Sequence, residues 1–266
     1  MPEGDTILRT ARTLDRALAG STLVTATSTV PGVDAASLVG RVVARVDAHG
    51  KHLRVHFDDG RTLVTHQRMT GAWHVYRPGE CWQRPERGAR VVLATATYVA
   101  VCFHAPDVTL LAAGGLARDA TARSLGPDLL APDFDRDAAR QRLRARGELP
   151  IGVALMNQSL VSGIGNVYKS ETLFVVGVDP FAFVRDLDDA TLDALLDAAR
   201  DLMRRNLDGH ARVTRDDGLA RAWVYGRGGE PCGRCGDAVR MTRQGEAGRS
   251  TYYCARCQRV AGSRGA

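Results

Sequence analysis

Apolar residues near the start of the chain recur at a helical spacing. Each lies three or four positions after the one before, which predicts a helix over 5–19 with one apolar face. Asp5 or Thr6 could cap its start, and Gly20 is a typical residue just beyond a helix end. The apolar positions are Ile7, Ala11, Leu14 and Leu18.

From residue 22 to about 112 the pattern changes to short alternating runs. Turn signals such as Asp58-Asp59-Gly60 separate them, which is typical of antiparallel strands. The runs lie at 41–46, 53–57, 62–66, 72–76, 90–94 and 98–103. Several short strands at this spacing predict a β-sandwich.

Beyond residue 133 the helical period returns. It predicts helices over 135–146, 150–160, 167–174 and 187–206, with a glycine-containing turn at 161–166. The segment 114–132 is expected to be a loop-rich connection. The 188–200 stretch is strongly acidic and would face away from a polyanion.

Four cysteines near the end of the chain form two Cys-x-x-Cys pairs. Eighteen residues separate Cys232/Cys235 from Cys254/Cys257, a spacing typical of a structural zinc site with four thiolate ligands. Two disulfides are the alternative for a secreted protein. Cys81 and Cys102 have no such partners and are expected to be ordinary thiols.

Charge and composition bear on the class of partner. The 266 residues carry a formal charge of +6. After position 220 there are only three acidic residues, and arginines outnumber them. A basic zinc module favours nucleic acid as partner, although arginines on a solvated surface would give the same count. No signal peptide or membrane span is expected, which predicts a cytoplasmic protein.

The first residues could themselves be reactive. Removal of Met1, which a small following residue permits, would leave Pro2 as a free secondary amine. An α-amino group has a pKa of about 8, so part of it is unprotonated at neutral pH and can attack an aldehyde carbon. Glu3 could move protons beside it. The alternative is structural, since both residue types are common at a helix start.

Four motifs in this order resemble those of the Fpg/Nei family of DNA glycosylases, over nearly the whole chain. They are Pro2-Glu3-Gly4, Gly50-Lys51-His52, the stretch 155–168, similar to the family's helix–two-turn–helix, and the cysteine module with Arg249. The resemblance implies an α+β multidomain fold. We expect an N-terminal catalytic β-sandwich domain flanked by helices at 1–118, a linker at 119–134, a helical domain at 135–225, and a zinc finger and tail at 226–266.

The resemblance also implies roles for individual residues. Pro2 would attack sugar C1′, and Glu3 would transfer protons. Lys51 would contact phosphate and donate a proton, whereas on sequence grounds alone it is an exposed turn lysine. Asn166 and Arg249 would hold the phosphates that flank the lesion. Lys169 and Arg234 are further candidates for phosphate contact, without an assigned role.

A loop at 66–71 resembles the one with which the family fills the space of an everted base. Met69 would be the wedge, with Arg68 beside it contacting DNA; a core methionine is the alternative. Relatives of the endonuclease VIII (Nei) type often have Gln-Leu-Tyr where this chain has Arg68-Met69-Thr70. The missing aromatic residue leaves open how the orphaned strand is held, a variation that resembles actinobacterial Nei proteins.

The sequence therefore predicts a zinc-containing DNA glycosylase and AP lyase that removes oxidised bases, preferentially pyrimidines. The 228–236 motif and Ala105-Pro106-Asp107-Val108 resemble Nei more than the formamidopyrimidine type, which acts on oxidised purines and remains an alternative. A non-catalytic zinc-finger protein that binds damaged DNA is a second alternative, and an RNA-associated zinc ribbon a third. The expected partner is damaged DNA, duplex or single-stranded, bound by a nucleoid-associated bacterial monomer.

Overall fold

A computed structural model describes residues 2–209, 211–215 and 217–258. The chain divides into two compact units, residues 1–124 and 125–266. Within the described residues, no helix is both long and apolar enough to cross a membrane.

The first unit is built from helix α1 (Gly4–Leu18), two four-stranded antiparallel sheets and a short helix α2 (Ala120–Ser124). The strands are β1 (Thr25–Ser28), β2 (Val43–His49), β3 (His52–Phe57), β4 (Thr62–His66), β5 (Ala72–Tyr76), β6 (Ala89–Ala94), β7 (Val99–Phe103) and β8 (Asp107–Leu111). One sheet has the order β2-β3-β4-β8 and the other β1-β6-β7-β5. The predicted β-sandwich is confirmed.

One apolar core joins the two sheets and α1. Leu53 and Leu63 come from one sheet, Leu93 from the other and Leu14 from the helix, and all four are fully buried in the same cluster. A hydrogen bond also joins α1 to β2, because the Asp15 carboxylate accepts the Val46 N–H at 2.7 Å.

Two features of the first unit differ from the sequence predictions. Neither Asp5 nor Thr6 caps α1; Glu3 occupies the N-cap position, without a side-chain capping bond. The segment expected to be loop-rich contains α2, which begins where Asp119 accepts a hydrogen bond from the Ala122 N–H at 2.7 Å. This cap is a local signal that stabilises a single helical turn.

The second unit is helical and ends in a two-stranded hairpin. Its elements are α3 (Arg136–Arg144), α4 (Ile151–Ala154), α5 (Asn166–Val176), α6 (Asp189–Arg204), β9 (Arg240–Gln244) and β10 (Arg249–Tyr253). Tyr168 of α5 and Leu195 of α6 are fully buried in its main apolar cluster.

The predicted helix over 150–160 is wrong in its second half, because α4 ends at Ala154. Asn157 accepts hydrogen bonds from the backbone N–H and the hydroxyl of Ser159. Gln158 donates to the carbonyl oxygens of Met156 and Ile164. These side chains bond to nearby backbone and so stabilise consecutive turns in place of a continuous helix.

The acidic helix α6 pairs with basic residues of α3, which the sequence pattern did not indicate. The ion pairs are Arg136–Asp197 at 2.9 Å, Arg140–Asp193 at 2.6 Å and Arg144–Asp189 at 2.6 Å. Much of the negative charge of α6 is therefore matched inside the second unit.

Candidate active site and zinc centre

The N-terminal residues predicted to be catalytic lie at the start of α1. Pro2 is half-buried, and Glu3 is fully buried in an extended backbone conformation. The Glu3 carbonyl accepts the Ile7 N–H at 3.1 Å, which fixes Glu3 to the first turn. A second carboxylate, Asp5, is also fully buried. The sequence predicted Asp5 only as a helix cap, because the local pattern gives no signal for a buried carboxylate at this position.

Lys51 lies in the turn between β2 and β3. Gly50 precedes it with a φ of 57°, a left-handed conformation that suits glycine. Lys51 is half-buried, so it is not the fully exposed turn lysine of the structural alternative.

A row of imidazoles crosses the sheet next to Lys51. The strand register pairs His49 with His52, His52 with His66, and His66 with Asp107. The rings of His52 and His66 stack with their centres 4.8 Å apart. Burial lowers the pKa of His52 to about 4, with smaller contributions from His66 and neighbouring cations. His52 is thus neutral near pH 7, and Lys51 provides positive charge at this edge.

His66 joins this row to the loop that follows β4. Burial lowers the pKa of His66, against the opposing effect of Asp107, and the Lys51 charge contributes to the same lowering. The His66 ring nitrogen Nδ1 lies 3.4 Å from an Asp107 carboxylate oxygen. Asp107 also accepts a hydrogen bond from Arg68 Nε at 2.6 Å. Arg68, predicted to contact DNA, is therefore engaged in an ion pair.

The wedge candidate Met69 is 64% exposed, so the alternative that it is a core methionine is wrong. Its loop is closed by Gly71, whose N–H donates to the Gln67 carbonyl at 2.8 Å. A Cβ at position 71 would lie 2.6 Å from that carbonyl oxygen and 3.1 Å from the Cα of Ala105. The loop therefore needs glycine here to pass so close to the backbone.

In the second unit, Asn166 begins α5 after a turn in which Gly163 has a φ of 108°. The Asn166 side chain is buried, and its amide Nδ2 donates to the Ser250 hydroxyl at 2.9 Å. Ser250 follows Arg249, which is exposed at the start of β10. The structure thus brings together the two residues predicted to grip phosphate.

Lys169 strengthens the same junction and does not lie on the surface. It is only 1% exposed, and its ammonium donates to the Ser250 carbonyl at 3.0 Å and to the Thr251 hydroxyl at 2.7 Å. The prediction of Lys169 as a phosphate contact is wrong, because its charge is used to hold β10 against α5. Arg234 is exposed and lies over the Phe174 ring, 4.5 Å from its centre.

A buried carboxylate with no counterpart among the sequence predictions anchors the segment before the zinc module. Glu171 is fully buried and accepts three backbone N–H groups. The donors are Trp223 at 2.8 Å, Val224 at 2.9 Å and Tyr225 at 2.7 Å. The Thr214 hydroxyl also donates to it. A glutamate in the middle of a helix gives no sequence signal for such a role.

The four cysteines are arranged as a zinc site requires. Their sulfur atoms all lie within 4.8 Å of one another. Sγ of Cys232 is 3.8 Å from that of Cys257, and Sγ of Cys235 is 3.5 Å from that of Cys254. A tetrahedron with Zn–S bonds of about 2.3 Å has S–S edges of about 3.8 Å. The residues therefore fit one structural Zn²⁺ with four protein ligands.

Three models of known protein families match this chain. Residues 1–107 match the formamidopyrimidine-DNA glycosylase N-terminal domain, and residues 125–217 match the H2TH domain of the same enzymes. Residues 229–260 match the zinc finger found in FPG and IleRS. The chain belongs to the Fpg/Nei family of DNA glycosylases. The resemblance inferred from its motifs is confirmed.

Relatives named endonuclease 8 align along nearly the full length of this Fpg/Nei chain. A probable endonuclease 8 2 from Streptomyces coelicolor is 40% identical over 261 residues, covering 97% of this chain and 94% of its own. The DNA-(apurinic or apyrimidinic site) lyase Nei2 of Mycolicibacterium smegmatis is 39% identical, with coverages of 97% and 99%. Endonuclease 8 of Escherichia coli is 33% identical, with coverages of 97% and 100%. The Nei-type and actinobacterial character of the sequence is confirmed.

Solved Fpg structures share the fold. Lactococcus lactis Fpg in complex with DNA containing N7-benzyl-Fapy-dG has a TM-score of 0.81 at 22% identity, covering 97% of this chain and all of that one. MutM (Fpg) of Thermus thermophilus has a TM-score of 0.79 at 28% identity, with coverages of 97% and 98%. The predicted fold class and the structural zinc are both confirmed.

Proposed function

We propose that this Fpg/Nei protein is a bifunctional DNA glycosylase and AP lyase of base excision repair, with Pro2 as its nucleophile. Removal of Met1 would free the Pro2 amine. Its nitrogen would form a bond to C1′ of the damaged nucleotide while the glycosidic bond breaks and the base leaves with a proton. The observation that carries this assignment is the Pro2-Glu3 pair at the start of α1, in a chain of this family.

A secondary amine suits the lyase half of the reaction. Protonation of the ring oxygen and cleavage of the C1′–O4′ bond in the adduct leave an iminium, which is positively charged at every pH because its nitrogen has no proton to lose. That charge withdraws electrons from C1′, which makes the C2′ proton easier to remove. The bond to the 3′ phosphate can then break, and a second elimination releases the 5′ phosphate.

Glu3 and Lys51 would serve this chemistry from fixed backbone positions. Glu3 is fully buried, so its carboxylate interacts with a developing cation through a medium that screens charge less than water. It would also transfer protons during sugar ring opening. Lys51 would contact phosphate and supply a proton, beside a His52 imidazole that is neutral near pH 7.

Damaged DNA would be held by the turn before α5 and by the zinc hairpin. Backbone N–H groups at a helix N-terminus bind phosphate well, and Asn166 lies at this position. Its side chain and Lys169 hold Ser250, so the neighbouring Arg249 is presented from a supported backbone. Met69 would fill the place of the everted base, and Arg68 would lie beside it.

We assign oxidised pyrimidines as the preferred lesions. Ala105-Pro106-Asp107-Val108 stands where formamidopyrimidine-type enzymes usually have an Arg-Arg-Phe-Gly stretch, and relatives of the endonuclease 8 type support the same assignment. A panel of duplexes with single oxidised pyrimidines or purines tests it. Faster excision of the purines would overturn it and indicate the formamidopyrimidine type.

Borohydride trapping tests the nucleophile directly. An oligonucleotide with one abasic site is incubated with the protein and reduced, which converts an iminium into a stable adduct, and mass spectrometry locates the modified residue. We expect the adduct on Pro2, and Pro2→Gly should keep DNA binding while losing most of the lyase rate. An adduct elsewhere, or full activity in Pro2→Gly, would contradict the assignment. Binding without any adduct would instead support a non-catalytic damage-binding protein.

A further inference from the structure

A basic recess lies beside the Met69 loop, entirely within the first unit. Its volume is about 720 Å³, and its walls come from the 67–71 loop, the segment 84–90 that leads into β6, and the turn between β7 and β8. We call it the arginine recess. Its lining residues are Met69, Thr70, Arg84, Arg87, Gly88, Arg90, His104, Ala105 and Pro106.

The charge of the recess is positive and unmatched. Three guanidinium groups line it, and no described lining residue carries a carboxylate. In the described part of the chain, no carboxylate forms an ion pair with Arg84, Arg87 or Arg90. The neighbouring Arg68, in contrast, is paired with Asp107 at 2.6 Å. An uncompensated group of arginines in a concave site attracts an anion.

Arg90 adds a second reason to expect an anion. Its side chain is half-buried, and its Nε is buried with no hydrogen-bond acceptor among the described residues. Buried polar atoms in native structures nearly always have a partner. A guanidinium that has lost part of its water shell gains more from an incoming anion than one that is fully solvated.

The recess is held in shape by bonds between its three segments. The Thr70 hydroxyl donates to the His104 carbonyl at 3.2 Å, and Arg84 Nη1 donates to the Thr70 carbonyl at 3.2 Å. The His104 N–H donates to the Gly88 carbonyl at 2.8 Å. A Cβ on Gly88 would lie 2.5 Å from the His104 ring. A site fixed before its ligand arrives loses little entropy on binding.

The position of the recess indicates which anion it would take. When Met69 enters the base stack in place of an everted base, the base it faces belongs to the undamaged strand. Met69 and Thr70 form one wall of the recess, so the strand that carries that base passes along it. We propose that the arginine recess binds the sugar–phosphate backbone of the undamaged strand opposite the lesion. This inference rests on the proposed function, because it takes Met69 to be the wedge.

The recess offers a way to hold the undamaged strand without an aromatic residue at position 70. Thr70 cannot stack on the orphaned base, but it bonds to His104 and to Arg84, one of the three arginines that line the recess. Charge on the opposite backbone would then replace stacking on the opposite base. The consequence is a preference for duplex over single-stranded substrates that depends on ionic strength.

Arg87→Gln is the variant that tests the recess with least risk to folding. Arg87 is exposed, whereas Arg84 bonds to Thr70 and Arg90 is half-buried. The matched control is Arg12→Gln, an exposed arginine of α1 outside the recess. Binding is measured at several salt concentrations, using DNA with a tetrahydrofuran abasic analogue as a duplex and as the damaged strand alone.

We expect Arg87→Gln to weaken duplex binding about fivefold and to reduce the magnitude of the negative slope of log association constant against log salt by about 1, as for one lost phosphate contact. Binding of the single strand should stay within about twofold of the wild type, as should both substrates with Arg12→Gln. Equal weakening on duplex and single strand would overturn the proposal, because the recess would then hold the damaged strand. Unchanged duplex binding would also overturn it.

Borohydride trapping with the single-stranded abasic substrate distinguishes a failure of the recess proposal from a failure of the proposed catalytic function. If the wild type and Arg87→Gln both form the Pro2 adduct while the duplex is bound equally by both, only the recess proposal fails. If the wild type forms no adduct, the proposed catalytic function fails, and the binding comparison still decides whether the recess contacts the undamaged strand.

Discussion

The buried Glu171 offers a sharp test of how the second unit is held together. Glu171→Gln keeps the shape of the side chain and replaces one carboxylate oxygen by an NH₂ group. One oxygen now accepts the N–H groups of Val224 and Tyr225, and the other accepts that of Trp223 and the Thr214 hydroxyl. A glutamine must therefore direct its NH₂ at one pair of these donors.

The size of the effect follows from those four contacts. In the less damaging orientation, the Thr214 hydroxyl reverses and accepts from the new NH₂, and the Trp223 N–H alone loses its acceptor. A buried unsatisfied N–H costs about 1–3 kcal/mol. The two remaining N–H bonds change from a charged to a neutral acceptor, at about 1 kcal/mol each. Since a neutral side chain is also less costly to bury, we expect a net loss of about 2–4 kcal/mol.

Thermal unfolding measures this loss. At about 3 °C per kcal/mol for a chain of this size, Tm should fall by about 6–12 °C. The matched control is Glu148→Gln, the same chemical change at an exposed residue that pairs with Arg146. The control should shift Tm by no more than about 1 °C, because exposed ion pairs contribute little. If Glu171→Gln and Glu148→Gln have the same Tm, the carboxylate of Glu171 does not stabilise the segment before the zinc module.

Two further predictions concern the second unit. Lys169→Met should both lower Tm and weaken binding to abasic DNA, because the Ser250 carbonyl and the Thr251 hydroxyl lose the donor that holds β10 on α5. Calorimetry measures Tm and fluorescence anisotropy measures the affinity. Wild-type affinity in a destabilised variant would contradict a positioning role for Lys169. Cys235→Ser should lose zinc and DNA affinity together, because the metal ligands fold the finger; undiminished binding by protein shown to be zinc-free would refute that link.

Strands were predictable where pattern and turn chemistry agreed. The runs at 62–66 and 72–76 match β4 and β5 residue for residue, because period-two alternation and flanking turn residues fix both their type and their ends. The helix predicted over 150–160 failed for the opposite reason. Its apolar spacing is helical, but Asn157 and Gln158 bond to nearby backbone instead. The apolar periodicity of a sequence does not show whether side chains will compete for the backbone groups that a helix would bond.

Long-range partners account for most of what the sequence could not reveal about the site. A lysine in a helix is normally a surface residue, yet Lys169 is buried because Ser250, 81 positions later, supplies its acceptor. The motifs could predict Asn166 and Arg249 as phosphate ligands, but not that both belong to one bonded junction. The arginine recess was invisible for the same reason, since its walls come from three separate segments of the chain.

Buried charges of the second unit and the recess arginines of the first unit differ in how they are matched, and this difference supports the proposed function. In the second unit Lys169 and Glu171 are buried and satisfied by backbone and hydroxyl groups, so their charge stabilises the surface that would present Arg249. In the first unit Arg84, Arg87 and Arg90 have no described carboxylate partner. Leaving cations unmatched gives up stabilisation of the folded protein, and such groups are expected where a ligand supplies the missing charge. The undamaged strand is the anion that Met69 would bring to that place.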